Sequence, residues 1–161
     1  MAARSPASFW VFFVLLVITH FMLHLAFGLP QSAPDLLTAA LLLGVRRMRA
    51  SSAALLGLVL GLINDALSPT AFGADTVVMT VIGYLGAWSR DLFEGDSLLF
   101  VGVYLFIGKW LHDFIYWLLA RDLARGDALS QLFLQGPATA AYTAVGGIVA
   151  LLIYRASSGD R

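Results

Sequence analysis

The chain has 161 residues, 60% of them apolar and only 12% charged, with a mean hydropathy of +0.84, whereas a soluble domain carries about 25% charged residues. That balance reads as an all-α, polytopic membrane protein with lipid as its main solvent. Ten basic and ten acidic residues cancel, so bulk charge makes no case for nucleic acid, and the lack of cysteine excludes disulfides, iron–sulfur clusters and cysteine-built zinc sites.

Six apolar segments follow one another in a single transmembrane domain. The first, about 8–29, is too long for the apolar core of a signal peptide and reads as a span. It carries His20 and His24, spaced i, i+4, with no third metal ligand at a recognised spacing. The second, about 34–46, opens on Ser32-Ala33-Pro34-Asp35, which fits a helix start with an acid at the positive end of the dipole. It stops at Arg46, Arg47 and Arg49.

The third segment, about 52–67, ends at "SPTAFG". Both this segment and the second are short for a hydrocarbon core of about 30 Å. A re-entrant hairpin would place three arginines at membrane depth, at roughly 2.5–3.5 kcal/mol each; two full spans avoid that. Ala53, Gly57, Gly61 and Asp65 repeat every four residues, so Asp65 continues a small-residue packing face. The helix expected against that face is the fifth or the first.

The fourth segment, about 75–89, starts at Asp75 after a turn made by Ser68-Pro69 and relaxed by Gly73. The fifth, about 97–120, carries Lys109 and Asp113 at i, i+4, with His112 beside them. The sixth, about 137–154, follows Gly136-Pro137, which leaves 128–135 as a candidate interfacial helix. With the N-terminus cytoplasmic, Arg4, Arg46, Arg47, Arg49, Arg90, Arg155 and Arg161 fall inside and Arg121 and Arg125 outside. The positive-inside rule selects that orientation, with both termini cytoplasmic. Five spans, with the C-terminus outside, is the alternative.

In this topology His24, Asn64, Asp65, His112 and Asp113 share the outer half of the membrane, with Lys109 nearer the middle. Unpaired charge is costly in lipid, so these groups face the bundle interior. They form a structural clamp, in which Asp65, Lys109 and Asp113 satisfy one another, or a site for a proton, an ion or a small molecule, or part of a partner interface. No phosphate-binding loop, zinc-protease motif or nucleophile elbow is present, so no catalytic, cofactor or metal residue is assigned.

The order of these motifs resembles the rod shape-determining MreD family. The carrying residues are Pro34-Asp35 opening a helix that ends in a basic cluster, then "LLGLVLGLINDALSP", then "TAFGAD", then "VIGYLGAW". Asp65, Pro69, Phe72 and Gly73 are the matching positions, over about residues 34–90. The resemblance implies a six-helix fold like the substrate-binding (S) components of energy-coupling-factor transporters. It also implies a non-enzymatic scaffold of the cell-elongation machinery in the bacterial inner membrane, supporting peptidoglycan synthesis along the lateral wall. Its implied partners are the single-span protein MreC and, through it, MreB, RodA and a penicillin-binding transpeptidase. The alternative function is a small-molecule-binding subunit of a transporter. That alternative requires a cavity lined by the polar seam, and a direct Asp65–Lys109 contact would argue against it.

Overall fold

The computed structural model describes residues 6–26, 34–67, 72–89, 97–119, 133 and 135–157. The described residues are helical throughout, apart from short turns. Helix α1 spans Pro6–Phe21 and continues as a wider π-type turn, Met22–Ala26. Then come α2, Leu36–Val45; α3, Ala50–Leu67; α4, Ala74–Trp88; α5, Leu98–Leu119; and α6, Gly136–Ser157. Segments Ala7–His24, Ala50–Leu67, Leu98–Leu119 and Gly136–Ser157 are long and apolar enough to cross a membrane. The chain is a multi-pass membrane protein.

Helix α2 is the hub. Its sequence, LLTAALLLGV, is apolar on every side, and a helix without a polar face belongs inside a protein. All ten residues are buried, and α2 touches each of the other five helices. Around it, side chains such as Val11, Leu15 and Ile18 on α1 and Leu55, Val59 and Leu62 on α3 point outward, as a lipid-facing surface requires. Ten residues rise only about 15 Å, so the first turn of α2 begins inside the bundle. Its far end is at the basic cluster, where Arg46 lies over the Tyr104 ring and Arg47 over the Phe9 ring.

Helices α3 and α4 form the most extensive pair in the fold, and α5 packs chiefly on α6. The α3–α4 approach is set by glycines. A Cβ on Gly57 would collide with the Met79 carbonyl, and one on Gly61 would lie 2.5 Å from Thr76 Cα. From the other side, a Cβ on Gly83 would collide with the Ala53 carbonyl. The face of Ala53, Gly57, Gly61 and Asp65 therefore packs on α4, and not on α5 or α1, the helices expected against it. The two helices are sequence neighbours, and Gly83 gives α4 a matching recess that lets backbone meet backbone.

Two sequence expectations shift at the helix starts. Asp35 itself is the cap of α2: its Oδ1 accepts from the Thr38 amide at 3.0 Å, so the helix begins one residue after the acid. Helix α4 starts at Ala74, one residue before the acid expected to open it; Gly73 precedes it with φ +94°, the left-handed region open to glycine, and Phe72 beside it is 72% exposed. Ser32, Pro69, most of the candidate interfacial helix 128–135, and Arg4, Arg90, Arg121, Arg125 and Arg161 lie outside the described residues.

Candidate functional site

Two helix N-termini are buried in this bundle, and each needs acceptors for its unpaired amides. At α2, the Thr38 amide goes to Asp35, and the Leu37 amide goes to His20 Nδ1 at 3.2 Å. The Asp35 amide donates to Thr143 Oγ1 at 3.1 Å. At α4, Gly73 has no side chain to cap with, and Asp65 takes over from the neighbouring helix. Its carboxylate accepts from the Asp75 amide at 3.2 Å, the Thr76 amide at 2.8 Å and the Thr76 hydroxyl. Asp65 is only 2% exposed, and the positive end of the α4 dipole adds to these charge-assisted bonds.

Lys109 is correspondingly held by other acids. Its Nζ lies 2.6 Å from Asp35 Oδ2 and 2.8 Å from Asp113 Oδ1. The i, i+4 pair on α5 is formed, but the clamp from Lys109 to Asp65 is not: Asp65 is occupied with the first turn of α4. The reason is the depth at which α2 starts. Because that helix is short, Asp35 sits within the bundle and provides the carboxylate that a surface cap would have kept in water.

A chain of polar groups extends from this ion triad. Asp113 Oδ1 lies 3.2 Å from His112 Nδ1, and Asp113 Oδ2 accepts from Thr139 at 3.1 Å. His112 Nε2 faces Asp75 Oδ1 at 3.6 Å, and Asp75 Oδ2 accepts from Asn64 Nδ2 at 2.6 Å. On the other side His20 Nδ1 is 3.7 Å from Asp35 Oδ1, and the His20 and His24 rings stack at 4.0 Å. Every one of the six helices contributes a group.

These groups line a half-open cavity of about 890 Å³. Its rim is built from helix ends: His24 beyond α1, Leu67 closing α3, Asp75 opening α4, Trp117 near the end of α5 and Gly136 opening α6. The cavity is therefore a vestibule that leads down to the N-terminus of α2. Of the residues the sequence singled out, His24, Asn64, Lys109, His112 and Asp113 line it, and Asp65 stands behind its wall. Sequence reasoning took Asp35 and Asp75 only as helix starters and noted His20 only as half of an i, i+4 pair with His24. Thr143 was missed altogether.

The chain matches no family model, no curated protein and no solved structure.

Among the described residues no three His, Asp or Glu side chains are grouped to hold a metal ion. What the described residues offer is chemistry for recognition: an ammonium neutralised by two carboxylates, a third carboxylate with no lysine or arginine among the described residues, and a histidine nitrogen with no hydrogen-bond partner among them. Aromatic walls from Phe21, Tyr116 and Trp117 surround them.

Proposed function

We propose that the chain is a non-enzymatic scaffold of the bacterial cell-elongation machinery, an MreD-type subunit of the inner membrane that binds MreC. In this layout the chain crosses the membrane six times in an S-component-like fold, with both termini cytoplasmic. The observation that carries the proposal is the construction of the α3–α4 hairpin. The residues that resemble the family pattern act there as one unit: Gly57 and Gly61 admit the α4 backbone, Gly73 makes the turn, and Asp65 caps the helix that follows. A pattern in which each polar or small residue has its own mechanical task carries more information than an apolar run.

With Arg46, Arg47 and Arg49 at the cytoplasmic surface, the vestibule opens outward, on the side of MreC's extracytoplasmic domain. The apolar outer faces of α1 and α3 offer a single-span partner the packing surface that association in lipid requires. RodA, its penicillin-binding transpeptidase and MreB would join through the same complex. Depletion should turn rods into spheres, and the tagged protein should co-purify with a single-span partner bearing an extracytoplasmic domain. Normal shape together with a solute-uptake defect would refute the scaffold.

A second reading, a small-molecule-binding subunit of a transporter, is favoured by one specific observation. The polar groups converge on a cavity rather than on an Asp65–Lys109 clamp. Its volume lies within the range of about 300–1,000 Å³ typical of ligand pockets. Uptake measurements on the depleted strain test it.

A further inference from the structure

His112 carries a ring nitrogen that no described residue hydrogen-bonds. In the neutral ring, the Asp113 carboxylate beside Nδ1 can only accept, which puts the single ring hydrogen on Nδ1 and leaves Nε2 with its lone pair. His112 is 5% exposed, and its Nε2 has no hydrogen-bond partner among the described residues. It faces Asp75 Oδ1 across 3.6 Å. Asn64 donates to the other Asp75 oxygen, and no described residue donates to Oδ1. Two acceptors thus oppose each other in the vestibule wall, an arrangement that is unfavourable until a donor comes between them.

The donor should be cationic. Three carboxylates line the described cavity, Asp35, Asp75 and Asp113, against the single ammonium of Lys109. Lys109 is committed to Asp35 and Asp113, so the excess negative charge centres on Asp75. Two acceptors 3.6 Å apart are close enough for one nitrogen to lie about 2.9 Å from both, once the side chains that close off Nε2 give way to it. Tyr116 and Trp117 stand at the wall, where ring faces favour a cation. A carboxylate ligand would meet Asp75 with like charge. A hard metal cation would prefer more oxygen ligands than this corner presents.

We propose that the vestibule binds a small organic molecule bearing a primary ammonium group, whose nitrogen sits between His112 Nε2 and Asp75 Oδ1. The proposal rests on the second reading above, that the cavity is a ligand pocket, and names the ligand's chemical class.

The test uses the full chain in nanodiscs, with calorimetry and thermal unfolding. The probes are 2-phenylethylammonium, 3-phenylpropanoate and 2-phenylethanol, which share a shape and differ in charge, with sodium chloride as the inorganic cation. The ammonium should bind at least tenfold more tightly than the other organic probes and raise the unfolding temperature. His112→Phe, which keeps the ring and removes both nitrogens, and Asp75→Asn should each weaken it at least tenfold. Tighter binding of the carboxylate, or equal stabilisation by sodium, would overturn the ligand class and leave the pocket standing. Equal ammonium binding by wild type and His112→Phe would overturn the placement. No binding of any organic probe to folded wild type would overturn the pocket itself. The decisive comparison is made on the wild type, so it holds even where a variant fails to fold.

Discussion

Asp65→Ala removes the acceptor for two backbone amides and one hydroxyl at the start of α4. Losing a single N-cap bond costs about 0.5–2 kcal/mol. Here the amides are buried behind a carboxylate that is 2% exposed, and each orphaned buried donor costs about 1–3 kcal/mol. In lipid the unfolded reference state finds substitute partners, which lowers such terms towards about 1 kcal/mol each. The net expectation is a loss of about 3 kcal/mol. Asp65→Asn keeps one acceptor oxygen without the charge and should lose roughly half of that, since charge-assisted bonds are about twice as strong as neutral ones. The assay is equilibrium unfolding in mixed detergent–SDS micelles, with hydrogen exchange read at the Asp75 and Thr76 amides. Exchange at those two positions should accelerate in Asp65→Ala and stay unchanged in Lys109→Met. Asp65 and Lys109 share no hydrogen-bonding partner, so their effects should add to within about 0.5 kcal/mol. A coupling above about 1 kcal/mol, or an Asp65→Ala protein as stable as wild type, would refute the capping argument.

Lys109→Met leaves Asp35 and Asp113 without their shared cation and should cost about 3–5 kcal/mol. Adding Asp35→Asn should recover part of it, because asparagine still caps a helix; a double variant no more stable than the single one would refute the triad. Gly57→Ala drives a methyl into the Met79 carbonyl and should lose about 1–3 kcal/mol by overpacking. Gly102→Ala meets only the tip of Ile148 at 3.0 Å and should be nearly neutral in the same unfolding assay. At Gly73, with φ +94° and open space around it, the penalty is backbone strain alone, about 1–2 kcal/mol for alanine. Gly73→Asn should therefore melt above Gly73→Ala, because asparagine tolerates the left-handed region.

Much of the architecture was readable from residues. Apolar length marked every helix, and the i, i+4 spacing of Lys109 and Asp113 announced an ion pair that the fold forms. The glycine face on α3 was readable as a packing face, but its partner was not. Nothing in the spacing of Gly57 and Gly61 distinguishes α4 from α5, and the recess at Gly83 has meaning only once the hairpin is closed. Asp35 and Asp75 show the deeper limit. An acid in a first helical turn looks the same in sequence whether that turn meets water or the centre of a bundle. What separates the two cases is the depth of α2, which is set by the packing of five other helices around it. His20 was hidden for the same reason, since its role is to accept from the Leu37 amide of another helix.

The brevity of α2 also bears on how the protein is made. A translocon releases into lipid the segments that partition there unaided, and ten apolar residues of about 15 Å are half of what that takes. The groups that settle the α2 entrance arrive late in synthesis: Lys109 follows Asp35 by 74 residues and Thr143 by 108. Until α5 and α6 emerge, the Asp35 carboxylate has neither its cation nor the Thr143 hydroxyl for its amide. The hub helix should therefore be among the last to reach its place, drawn inward after its neighbours have been inserted. Truncations that end before α5 should leave that segment at the membrane surface, where an added glycosylation or cysteine-labelling site would report it.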